Sequence, residues 1–274
     1  SEAIWGRVKV DGKLPVSLTP QLDRGFGIPK KKRFNDWGEV QQVEFINAWS
    51  VIDSAIENRI FPGAQVAVVH RGKLIASRGF GRHTYDNSSP PVKQESIYDI
   101  ASLTKVLSAT PITMKLNAQK KLSLEHTVQQ FYPQFTGNGK EDITIRHLLT
   151  HSSGLPGYYQ FFLDDQISTK EDVLDYILNV KLHSEPGSHY EYSDLGFILL
   201  TSIIEKVANR SIDRLAHSYF FGPLGMHHTR YNPPLEWKRK VAPTEIDSIY
   251  RNRLIHGEVH DENTHLMGGI SGHA

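Results

Sequence analysis

A chain of 274 residues, 39% hydrophobic and 22% charged, carries enough apolar material for one large core or two smaller ones. Its net charge of +1 provides no global field to draw nucleic acid or an anionic membrane surface. It has no cysteine, which excludes a disulfide framework and thiolate metal ligation, and no apolar stretch approaches the length of a membrane span.

Residues 1–35 differ in texture from the rest. Residues 4–10, Ile-Trp-Gly-Arg-Val-Lys-Val, predict a strand, and the Gly/Pro-rich run Arg24-Gly25-Phe26-Gly27-Ile28-Pro29 has no helical periodicity. This stretch reads as the closing segment of another domain plus a linker, with Lys30-Lys31-Lys32-Arg33 a solvated part of that linker. A second domain is expected from Asp36 to the end. Val43, Ile46, Trp49, Ile52 and Ile56 recur at helical spacing and predict an amphipathic helix that stops before the Pro62-Gly63 turn. Residues 64–69 and 73–80 read as two strands of an antiparallel hairpin around Arg71-Gly72. A long helix is predicted over 102–119, bent or broken at Pro111. Shorter helices follow over 146–150 and 170–180. The last, over 195–209, places Phe197, Leu200, Ile203, Ile204 and Val207 on one face. There is no internal repeat.

Chemistry concentrates in Ser102-Leu103-Thr104-Lys105. A serine hydroxyl needs a base to become a nucleophile, and a serine and lysine three apart share one helix face. Alone the pair is also what a solvated helix start supplies. Downstream, Tyr192-Ser193-Asp194 leads straight into an apolar helix, where a tyrosine supported by a lysine cation can act as a base. The run Met267-Gly268-Gly269-Ile270-Ser271-Gly272-His273-Ala274 is Gly-rich, which lets backbone approach a substrate closely. Asp194 is also a candidate N-cap.

With these motifs in order, the chain from about Asp36 resembles the serine β-lactamase and penicillin-binding protein superfamily, in particular its class C-like hydrolases and esterases. Ser102-Leu103-Thr104-Lys105 is similar to the first motif, Tyr192-Ser193-Asp194 to the Tyr-x-Asn motif, and His273-Ala274 to the start of a His-x-Gly third motif. His147-Leu148-Leu149-Thr150-His151-Ser152-Ser153-Gly154-Leu155-Pro156 resembles a signature loop of the same group. The resemblance implies an α/β (α+β) transpeptidase-type fold, an antiparallel sheet flanked by helices plus a helical subdomain. It implies Ser102 as acylated nucleophile, Lys105 as proton shuttle and Tyr192 as general base. Asp194 and His273 fall at substrate-binding positions, with His273 orienting substrate and supporting Tyr192. The oxyanion hole would use the Ser102 N–H and one from the strand carrying the third motif. No metal and no organic cofactor is implied, the partner being a small-molecule or peptide acyl donor. A periplasmic or cell-envelope location follows from the family role alone.

Asp194 departs from the family's asparagine. A carboxylate there favours the ammonium form of Lys105 and shifts the base role to Tyr192. The chain also lacks an initiator methionine and stops within the third motif, so it reads as a fragment truncated there. Residues 12–17 and 25–28 resemble the closing segment of family-3 glycoside hydrolases, which implies a parent with an N-acetylglucosaminidase-like domain linked ahead of this one. A contrasting expectation is a catalytically weak binding or scaffold module fused to that glycosidase. His147 and His151 have a zinc-compatible spacing, but they lack the intervening glutamate of His-Glu-x-x-His and read as structural. His227-His228 reads as a surface turn, and Asp261-Glu262-Asn263 as a polar loop, the alternative being that these three line the site mouth.

Overall fold

The computed structural model describes residues 45–274, which fall into two compact units, residues 45–97 with 220–228 and residues 98–219 with 229–274. The expected strand over 4–10, the linker and the glycosidase-like closing segment lie outside the described residues.

In the first unit, helix α1 (Ile46–Glu57) precedes strands β1 (Gly63–His70) and β2 (Lys73–Gly81). The strands pair antiparallel from Gly63↔Gly81 to His70↔Lys73, with a bulge between Val68 and Val69. The hairpin follows the sequence expectation to within a residue or two. Its two-residue turn, Arg71-Gly72, has positive φ at both positions, the mirror-image turn that matches strand twist. Helix α1 exists because its apolar stripe has a surface to cover. Trp49 is buried with Ala76 and Phe80, and Phe45, Ile52, Ile56, Val66 and Val68 pack around them. Trp49 and Phe80 have ring centroids 5.3 Å apart.

The second unit is mainly helical. The long helix expected over 102–119 is divided, with a π turn over Lys105–Ala109 followed by α2 (Thr110–Ala118). Pro111 follows the π turn directly within a continuous run of helical backbone, where it supplies no N–H to the preceding turn and its ring crowds the carbonyl four residues back, so the irregularity lies just upstream of it. Helices α3 (Ile145–Leu149), α4 (Lys170–Asn179), α5 (Asp194–Ala208), α6 (Ile212–Ala216) and α7 (Glu262–Leu266) follow, with a short antiparallel pair β3 (Ile246–Asp247) and β4 (Arg253–Leu254) between the last two. Caps fix the helix starts. The Thr144 and Thr169 hydroxyls accept from the N–H groups of His147 and Asp172, and the Ser193 hydroxyl accepts from Gly196 N–H at 3.0 Å.

Helix α5 is the centre of this unit. Leu195 through Thr201 are all buried, with Ile203 and Ile204, so it is enclosed nearly all round in its first half rather than on one face. Ile112, Leu116, Ile145, Leu148, Val173 and Ile177 complete the core from neighbouring helices. Asp261-Glu262-Asn263, expected as a polar loop, instead cap and open α7, because the Asp261 carboxylate accepts from Thr264 N–H at 2.6 Å. No helix among the described residues is long and apolar enough to cross a membrane.

Candidate active site

Ser102 sits in the turn that leads into the π turn. The residue before it, Ala101, has φ +44°, an uncommon conformation for a residue with a side chain. One carboxylate holds that turn: Asp99 accepts Ala101 N–H at 2.8 Å and His260 N–H at 2.7 Å. The Ser102 N–H donates to no acceptor among the described residues.

One turn later Lys105 is only 3% exposed. Its ammonium donates to three oxygens, Ser102 Oγ at 3.0 Å, Asp194 Oδ1 at 2.7 Å and the His273 carbonyl at 2.7 Å. Three donors meet three acceptors, which is how a buried cation is tolerated. The π turn is itself anchored, since Tyr231 donates its hydroxyl to Ser108 Oγ at 2.8 Å. Burial pushes the Tyr231 phenol well above its ordinary range.

Asp194 is not the cap of α5. Ser193 takes that place, accepting Gly196 N–H and donating to the Pro156 carbonyl at 2.7 Å. Capping needs the residue just outside the helix, and Asp194 is its first helical residue. Its carboxylate is therefore free to reach Lys105, and it adds negative charge at the positive helix end.

Tyr192 is partly exposed, and the Lys105 ammonium lies 4.9 Å from its ring centroid. A second support is His151, whose ring stacks on Tyr192 at 4.3 Å and approaches Phe197 at 5.1 Å. Burial first, and then the Lys105 charge, hold His151 below its usual value.

His273 reaches the site differently from the sequence expectation. Its carbonyl, not its imidazole, contacts Lys105. The ring is 1% exposed, with Nδ1 2.6 Å from Ser271 Oγ and Nε2 3.2 Å from Asp261 Oδ1 and 3.3 Å from Thr264 Oγ1. Residues 271–274 belong to no strand. Gly272 turns its close approach inward, toward α5 rather than toward a substrate: a Cβ there would lie 2.3 Å from Thr201 Oγ1, which accepts the Gly272 N–H at 3.1 Å. Burial raises and the His273 bond lowers the Asp261 carboxyl, for a net fall to about 2. Burial and the carboxylates of Asp261, Glu262 and Asp194 push the Tyr158 phenol up to about 12.

The signature loop laces onto the segment that carries Tyr192. Asp194 N–H bonds the Gly157 carbonyl, Gly187 N–H the Ser152 carbonyl and His183 N–H the Gly154 carbonyl, each at 2.8 Å. Gly154 is required there, with φ +77° and a position where a Cβ would come 2.1 Å from Ser184 O.

A model described as beta-lactamase matches residues 50–272. The chain belongs to the beta-lactamase family. It is 29% identical over 256 residues to an N-acetylmuramyl-L-alanine amidase of Bacillus subtilis (strain 168), covering 81% of this chain and 58% of that protein. An Escherichia coli (strain K12) protein whose name carries D-alanyl-D-alanine carboxypeptidase is 29% identical over 280 residues, covering 90% of this chain and 62% of its own length. Among solved structures, a class C beta-lactamase superposes with a TM-score of 0.70 at 21% identity, covering 86% of this chain and 62% of that one. An octameric penicillin-binding protein homologue from Pyrococcus abyssi gives 0.65 at 27% identity, covering 85% and 53%. The beta-lactamase fold is thereby established, and the chain spans about 60% of the length of the curated relatives it matches.

The structure brings Ser102, Lys105, Asp194 and the His273 carbonyl together at one ammonium, with Tyr192 over it. Sequence reasoning missed Asp99 and the contact of His151 with Tyr192. The signature loop was the available signal for His151, while nothing local marked Asp99. The two histidines of the zinc-compatible pair have separate partners: His147 Nδ1 accepts Thr144 N–H and His151 Nδ1 accepts Ser193 N–H. Among the described residues no group of three or more His, Cys, Asp or Glu is placed to hold a metal ion. His227-His228 forms an exposed turn as expected.

Proposed function

We propose that this beta-lactamase family chain carries the nucleophilic site of a serine hydrolase that acts on an amide or ester of cell-wall type through an acyl-Ser102 intermediate. The supporting observation is the Lys105 ammonium, which donates at once to Ser102 Oγ, Asp194 and the His273 carbonyl. Because Lys105 donates to Oγ, the serine proton is free to leave toward another base, and Tyr192 is the group assigned that role. Oγ attacks the acyl carbon as its proton passes to the phenolate oxygen of Tyr192, which becomes the phenol. The resulting oxyanion takes a hydrogen bond from the Ser102 N–H, a donor of a kind whose loss costs on the order of 100- to 1000-fold. Collapse returns the proton from Tyr192 to the leaving amine or alcohol, and water then cleaves the ester by the same route in reverse. Asp194 holds the Lys105 ammonium beside Ser102 Oγ through both steps. His273 acts through its carbonyl and the packing of residues 271–273.

Substrates of D-alanyl peptide, small ester or β-lactam type fit this chemistry, and the names of the relatives favour cell-wall substrates and an envelope location. The test is turnover of a D-alanyl-D-alanine peptide and of p-nitrophenyl acetate by the full-length protein and by Ser102→Ala. Turnover of either that is lost in Ser102→Ala supports the reading. Absence of turnover in both proteins favours the binding or scaffold module instead.

A further inference from the structure

His151 brackets Tyr192. Its carbonyl accepts the N–H of Glu191 at 2.9 Å, its Nδ1 accepts the N–H of Ser193 at 3.0 Å, and its ring stacks on the Tyr192 ring between them at 4.3 Å and 28°. A single residue thus fixes both peptide neighbours of Tyr192 and one face of its side chain. The backbone of His151 is itself constrained, with φ +54°. From these contacts we infer that neutral His151 is a positioning residue for Tyr192, and that protonating it releases the clamp. The inference rests on the proposed role of Tyr192 in serine acylation.

The chemistry is one-directional. A backbone N–H can only donate, so Nδ1 must be the bare nitrogen and the proton must sit on Nε2. Imidazolium has no bare nitrogen, so protonation turns the Ser193 N–H contact into two opposed donors. The groups facing the ring agree with this. Lys105, from the π turn, opposes a second cation, and the rings of Phe197, Tyr190 and Tyr192 pack around the imidazole. Asp194, from α5, is the nearby carboxylate that favours protonation, and it is already engaged by Lys105. The Glu191 carboxylate is turned away, to Gly157 N–H and His183. Burial and Lys105 prevail, and the ring is held neutral.

Two measurements on the full-length protein decide it. Nitrogen-15 spectra of the histidine ring should show the Nε2–H tautomer at pH 7 and a titration below the ordinary 6.5. An Nδ1–H tautomer, or a protonated ring at pH 7, overturns the clamp whether or not the protein is an active hydrolase. The second measurement is the pH profile of Ser102 acylation by a labelled penicillin. In the native protein the acid limb should coincide with the His151 titration. His151→Asn keeps an acceptor where Nδ1 stands and suits positive φ, but does not titrate. It should retain the rate at pH 7 to within about tenfold, the scale of one lost ring contact, and lose that acid limb. An unchanged limb in His151→Asn refutes the inference while leaving serine acylation intact. If the native protein is not acylated at all, the proposed function fails and the tautomer result alone still decides the clamp.

Discussion

Replacing Asp194 tests the electrostatic core of the site. The Lys105 and Asp194 side chains are 4% and 19% exposed, and their atoms meet at 2.7 Å. Removing one member of a buried pair typically costs 3–5 kcal/mol because the other charge is left without a partner. Water can reach Asp194 in part, so Asp194→Ala should lie near the low end, about 3 kcal/mol. Asp194→Asn keeps an oxygen for the Lys105 N–H and loses only the charge, so about 1–2 kcal/mol is expected. Urea unfolding with a common slope measures both differences. The function should separate in the same order. Asp194→Asn should still acylate Ser102, and Asp194→Ala should acylate it more slowly, because the asparagine oxygen still accepts the Lys105 N–H that holds the ammonium beside Ser102 Oγ. Equal stability of the Ala and Asn variants, or faster acylation in Asp194→Ala than in Asp194→Asn, would refute the reasoning.

Other outcomes follow from the same contacts. Ser193→Ala removes the α5 cap and leaves the Pro156 carbonyl without its donor, so about 2–3 kcal/mol should be lost in urea unfolding. Gly154→Ala must accept φ +77° and a Cβ 2.1 Å from Ser184 O, and should lower stability by at least about 2 kcal/mol by thermal unfolding. Because Asp261 falls from 3.8 to about 2 on folding, its contribution is complete above pH 4 and is lost as pH falls toward 2. That amounts to about 2 kcal/mol, and Asp261→Asn should flatten the stability profile across this window.

How far the sequence could be read depended on the range of the forces involved. The β1–β2 hairpin and α1 were legible because their apolar spacing and the Arg71-Gly72 turn are local signals. The Ser102–Lys105 pairing was legible for the same reason, since one helical turn dictates it. Whether Ser193 or Asp194 caps α5 was not legible, because both are good caps and only the distant Pro156 carbonyl and Lys105 ammonium separate them. The sequence placed the His273 side chain at a substrate-binding position, whereas in the structure it is the carbonyl that meets Lys105. Its ring is drawn inward by Ser271, Thr264 and Asp261, partners brought together only by the fold. The contacts of Asp99 with His260 N–H and of His151 with Ser193 N–H depend on backbone groups from remote segments, so the signature loop marked His151 without showing its partner, and nothing marked Asp99.

The central claim, that Ser102 is the acylated nucleophile, has one direct test. The full-length protein is incubated with a labelled penicillin or a fluorophosphonate and digested, and the peptide containing Ser102 is weighed. The account predicts a mass shift on Ser102 that disappears in Ser102→Ala and is strongly reduced in Lys105→Ala. An adduct on another residue, or none with either reagent, would contradict it.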